Sequence, residues 1–89
     1  MITSAAVRAK VNGEMNVFPV HRHCDFFLWM KLLHCDFDKN NVEQGFIEWN
    51  GKEERFINRV EALKLARECH QKIDEDKIFG NELYSEALW

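Results

Sequence analysis

Eighty-nine residues suffice for one domain and leave no room for a second, and a chain this short buries only roughly 60–65% of its unfolded surface, so its core is thin. A hydrophobic share of 46%, with seven Phe and three Trp, argues against disorder. A formal charge of −3 lacks the basic excess of a nucleic-acid binder and is too mild for a dense phosphate mimic.

Met1-Ile2-Thr3 leads directly into alternating sequence, so no signal peptide is expected. Thr3 to Val20 reads as strand, turn, strand. "AAVRAKV" alternates small or apolar residues with Arg8 and Lys10, "MNVFPV" is β-rich, and Asn12-Gly13 between them tolerates the positive φ of a tight turn. Pro19 lacks a ladder donor and places the second strand at an edge. The hairpin is expected over 1–20.

"HCDFFLWMKLLHC", residues 23–35, is too long and too rich in Leu and Met for an ordinary strand and reads as a helix. Its apolar run, Phe26 to Met30, is too short to cross a bilayer. Phe26, Met30, Leu33 and Phe37 form one stripe, while Phe27, Leu28, Trp29 and Leu32 cover most of the rest. A helix apolar nearly all round must be enclosed, which points to a homo-oligomer assembled through 23–35. A membrane-surface role is disfavoured because no face is rich in Lys and Arg.

"DFDKNN" is expected to break the helix with turn formers. "EQGFIEW", Asn50-Gly51 and "KEERFI" then read as a second hairpin over 43–57, on the logic of the first, with Phe46 and Phe56 on buried faces. Asn58 starts a helix expected over 58–73, with Glu61 completing an Asn-x-x-Glu capping box. Ala62, Ala66, Cys69 and Ile73 line its inner face, widened by Leu63 and Leu65. Gly80-Asn81 ends this stretch, and "ELYSEALW" closes the chain as a docking tail over 81–89. The ββα-ββα rhythm predicts an α+β fold: one antiparallel sheet with two helices packed on it.

Neighbouring Cys and His residues raise the question of zinc: His21, His23-Cys24, His34-Cys35 and Cys69-His70. His23-Cys24 and His34-Cys35 stand eleven residues apart on one predicted helix, about 16 Å along it, so they do not share a metal. No Cys-x-x-Cys is present, and the odd cysteine count suits reduced thiols of a cytoplasm. Neighbours on a helix point about 100° apart, which also disfavours a Cys-His catalytic couple. There is no Gly-rich phosphate loop and no Ser elbow, so neither a metal, a cofactor nor catalysis is expected.

Anion binding is the remaining chemistry. Arg22 and His23 enter the first helix, and Arg55 and Arg59 flank the start of the second. Helix starts carry unpaired amides and partial positive charge, and Arg adds a bidentate fork. Phe18, Trp49 and Phe56 offer rings for a nucleobase. The structural alternative is that Asn58 only caps, Arg59 only pairs with Glu54 or Glu61, and the aromatics only fill the core.

The stretches "HRHCD", "EQGFIEWNG", "RFINRVEALKLA", "CHQ" and "YSEALW" occur in an order, over almost the whole chain, that resembles a family of small phage proteins. These carry an Arg-His-His-Asp type segment, Gln-Gly-Phe, a Phe-Val-(Asp/Asn)-Arg-x-Glu-Ala helix start, Gly-Gln and a Ser-Glu-Asp-Leu-(Trp/Tyr) terminus. The family is that of phage anti-defence proteins of the first Thoeris-inhibitor type. The resemblance implies an oligomeric, non-degrading binder that sequesters cyclic ADP-ribose signals of TIR-domain enzymes, or cyclic oligonucleotides, in the host bacterial cytoplasm. It implies a ligand site of Arg22, His23, Trp49, Phe56, Asn58 and Arg59. Arg22 and Arg59 would take phosphates, Phe56 or Trp49 would stack, and Asn58 would hold a ribose or base edge. Cys24, His70 and Ala87 depart from the family pattern. The alternatives are a protein-binding inhibitor of a host defence complex, such as an anti-CRISPR, and a small zinc-binding or enzymatic domain.

Overall fold

Alternation and two turns set the framework of the chain, all 89 residues of which are described by a computed structural model. The order is β1 (Ile2–Val11), β2 (Glu14–Val20), α1 (His23–Leu32), β3 (Phe37–Trp49), β4 (Glu54–Asn58) and α2 (Arg59–Glu68), followed by single turns at Glu75–Lys77 and Ser85–Ala87. The strands form one antiparallel sheet in the order β2-β1-β3-β4. The architecture is therefore the α+β arrangement that the ββα-ββα rhythm predicts.

Both helices cover the same face of this sheet. Val7 and Ala9 of β1 pack with Phe26 and Met30 of α1. Ala5 and Phe46, with Ile57, pack with Ala62, Leu63 and Ala66 of α2. Residues 5, 7 and 9 share a face because side chains alternate along a strand. The small Ala residues let the helices lie close on the sheet, and Leu83 and Ala87 of the tail complete the second cluster.

The first hairpin turns on Asn12-Gly13, both with positive φ (51° and 85°), as a two-residue turn requires. The second does not repeat it. Trp49 pairs with Glu54, and Asn50 Oδ1 accepts from the amides of Lys52 and Glu53 across a four-residue loop.

Several expected boundaries move. The first helix ends at Leu32, not at Cys35, and the second at Glu68, not at residue 73. In each, a His takes the left-handed position, His34 at φ 51° and His70 at φ 56°. The next amides bond back to close the helix, Cys35 N–H to Met30 and Gln71 N–H to Ala66. Leu33 and Cys69, expected on inner stripes, are consequently exposed. Of "DFDKNN", only Asp36 lies between elements, and the other five residues are inside β3. Val11 faces Phe37 and Ala9 faces Val42, so the extra residues of β3 bulge. Asp38 accepts there from the Asn40 amide and the Asn41 side chain, satisfying the loop locally and holding its carboxyl below the usual range.

Candidate anion-binding site

The two strand-to-helix junctions meet around Gly45. His23 is buried at the start of α1, and its Nε2–H donates to the Gly45 carbonyl over 2.7 Å. Gly45 is itself paired with Asn58, which caps α2. A side chain at residue 45 would collide with the Ile57 carbonyl oxygen and the Phe56 ring, so the glycine is what lets β4 close on β3 here. Burial pushes the His23 imidazole below its ordinary value of 6.5. The Gly45 carbonyl opposes that shift, Arg59 adds to it, and Glu86 opposes it.

Arg22 caps α1 in extended conformation. Guanidinium has no acceptor, so only half of a capping box forms: Asp25 Oδ2 accepts from the Arg22 amide at 3.1 Å. The side chain instead reaches the tail, where Nη1 donates to the Ser85 carbonyl and Nη2 to that of Trp89. At α2 the cap is complete. Asn58 Oδ1 accepts from the Glu61 amide at 2.8 Å, and its Nδ2 donates to Glu61 Oε1 at 3.0 Å. Arg59 pairs with Glu82 at 3.3 Å and stacks on Tyr84 at 5.2 Å from the ring centre. Its carbonyl accepts from the Leu83 amide.

Arg22, His23, Asn58 and Arg59 are thus brought to one end of the molecule, with the tail between the two arginines. Phe56 and Trp49 are not. Phe46 and Ile57 face the helices, so alternation turns Phe56 and Trp49 to the opposite side of the sheet. There the Arg8 guanidinium lies over the Phe56 ring at 5.0 Å while pairing with Glu43. Arg55 bonds the buried Glu48, in a cleft beside α2 that Glu61 also lines.

Aromatic walls lie elsewhere. A cavity of about 500 Å³ opens between α1 and the first hairpin, lined by Phe18, Phe26, Trp29 and Met30. His21 and Asp25, beside Arg22, form its polar end. Sequence reasoning missed this groove, the tail carbonyls and Gly45. The signals were present as Leu83, Ser85 and Ala87 alternating in the tail, all buried, and as the Gly of Gln-Gly-Phe. It also missed Gln71, whose amide both accepts from and donates to the Ile2 main chain at 3.0 Å, fastening the start of β1. His70, with its side chain exposed at the end of α2, belongs to helix termination and not to this site. No three His, Cys, Asp or Glu side chains gather in metal-binding geometry.

Fold and site together define a small α+β protein whose two helix starts present basic side chains beside an apolar groove. The family model described as phage T4 y16D protein matches residues 1–89, and the chain belongs to that family of phage proteins. No curated protein and no solved structure matches it. No helix is long and apolar enough to cross a membrane.

Proposed function

We propose that this phage protein is an anti-defence factor that binds a nucleotide-derived cyclic signal, a cyclic ADP-ribose isomer or a cyclic oligonucleotide, and holds it without degrading it. The observation that carries the reading is the convergence of two helix starts, with Arg22, His23 and Arg59 on one side of the sheet. Unpaired first-turn amides and guanidinium forks are the groups that hold phosphates. The groove beside Arg22 supplies Phe18 and Trp29 for a base, the role that the sequence suggested for Phe56 and Trp49. Action is by mass balance: ligand held here is not free to switch on the host effector.

Assembly through α1 belongs to the same proposal. Leu28, Trp29, Leu32 and Leu33 present a continuous apolar surface, with Trp29 61% and Leu32 68% exposed. A second reading rests on that surface: α1 docks on a host defence protein, and the chain inhibits by occupying it.

A thermal-shift panel of cyclic ADP-ribose isomers and cyclic oligonucleotides, followed by heat denaturation and recovery of the ligand, tests the proposal. A shift with intact ligand recovered is expected. Chemically altered ligand would make the protein an enzyme, and no shift with any member would favour the protein-docking reading.

A further inference from the structure

The end of the chain sits where the proposed ligand would. Arg22 directs two separate N–H groups at two carbonyl oxygens, those of Ser85 and Trp89. Two N–H groups of one guanidinium reaching two oxygens is also the way that Arg takes two oxygens of a phosphate. We infer that residues 85–89 act as an internal ligand: these two carbonyls fill the acceptor places that phosphate oxygens take, so nucleotide binding displaces the tail. The inference rests on the sequestration reading and adds to it a specific seat and a competitor.

Three features make the tail displaceable. First, the Ser85 carbonyl is neutral and so a weaker acceptor for guanidinium than a phosphate oxygen, whose charge roughly doubles the strength of the bond. Second, beyond Tyr84 the main chain bonds mostly to itself, although Ser85 and Ala87 are buried and Leu88 packs on the second cluster. The amides of Ala87, Leu88 and Trp89 bond to Tyr84 and Ser85, and the one main-chain bond to the rest of the protein runs from the Asp74 amide to the Ala87 carbonyl. Third, the Ser85 hydroxyl is fully enclosed and has no hydrogen-bond partner in the protein. Such a group gives up hydration without recovering a bond, so docking is weaker than the buried area alone would make it.

The anchor of the tail lies outside the displaced part. The Leu83 side chain is wholly buried, its amide bonds to the Arg59 carbonyl, and Tyr84 lies against the Arg59 guanidinium. Peeling back residues 85–89 uncovers Ser85, Ala87 and Leu88 and breaks the Asp74–Ala87 bond, while Leu83 and Tyr84 stay fastened. Trp89 gives up its bond from Arg22 and ring contacts with His21 at 6.0 Å and Phe46 at 6.5 Å between ring centres.

The test measures Kd for cyclic ADP-ribose, with inorganic pyrophosphate as the bare anion, on the full chain, a form lacking Leu88 and Trp89, and Ser85→Ala. Hydrogen exchange at the Leu88 and Trp89 amides is followed with and without ligand. Deletion is expected to tighten binding about tenfold, the gain when the open seat is only about one-tenth populated in the full chain. Ligand should accelerate exchange at both amides of the full chain. Ser85→Ala, which removes the unpaired hydroxyl, should raise Tm and weaken binding a few-fold. Binding by the deleted form alone would support the inference as well. If the full chain binds while deletion changes nothing and the amides stay protected, the internal ligand is refuted and sequestration stands. If neither form binds, both are refuted. Should the deleted form not fold, Ser85→Ala decides: unchanged or tighter binding overturns the inference.

Discussion

The two helix starts are built alike and finished differently. Both follow a strand, both place an Arg at the junction, and both helices end on a left-handed His. At α2 the capping residue is Asn58, whose side chain satisfies the first turn locally and leaves Arg59 to lie against Glu82 and Tyr84. At α1 the capping residue is Arg22, which cannot accept a hydrogen bond and is free to reach across to the end of the chain. The α2 start is closed by its own residues, whereas the α1 start is closed by a segment more than sixty residues away. A junction of the second kind is the one that another occupant can open.

That contrast can be broken outright by Gly45→Ala. A Cβ there meets the Ile57 carbonyl and the Phe56 ring, and the strand shift that relieves it moves both His23's acceptor and Asn58's partner. A loss of about 3 kcal/mol is expected in denaturant unfolding, affecting both junctions together. Arg22→Ala affects only the first. It removes two bonds to the tail, so a loss of about 1.4 kcal/mol is expected, the docking free energy that a tenfold preference sets, with faster hydrogen exchange confined to residues 85–89. Asn58→Ala should cost about 1 kcal/mol, the usual value of a helix cap, and leave the tail protected.

Acid separates the junctions as well. Burial holds the His23 value below 6.5 in the folded protein, so the unfolded chain takes up the proton first as pH falls. The contribution is full above pH 6.5 and declines progressively below it, until the folded imidazole also charges. A urea-unfolding series should show this slope, and His23→Gln should flatten it. The smallest effect expected is a gain of about 0.5–1 kcal/mol for His70→Gly, which relieves a left-handed residue at the end of α2 and should change neither tail protection nor ligand binding.

The elements formed through local rules were legible in the sequence. Asn12-Gly13, the edge proline, the Asn58 cap and the buried Ala positions all follow from periodicity and turn chemistry. The helix ends were not, because His34 and His70 take a conformation that composition assigns to Gly or Asn. "DFDKNN" misleads for a similar reason: its side chains make the local bonds of a turn, but pairing with β1 carries the strand through them. Arg22, His23, Asn58 and Arg59 were legible as residues of the two helix starts, because helix starts announce themselves. Phe56 and Trp49 were placed wrongly with respect to them, since which sheet face a residue takes depends on the register of β3 with β4. The grip of Arg22 on Trp89 is a contact over 67 residues, and nothing local encodes it.

The central claim is that the junction arginines hold an anionic ligand, and a pair of variants of equal charge tests it most directly. Arg59→Gln lies at the junction, while Arg55→Gln, four residues earlier, removes the same charge from the pair with Glu48. Titration of a cyclic nucleotide that binds the wild type should show Kd raised about tenfold or more by Arg59→Gln, the loss of one charge-assisted bond, and almost unchanged by Arg55→Gln. Equal affinities in all three proteins, or a larger loss from Arg55→Gln, would contradict the account.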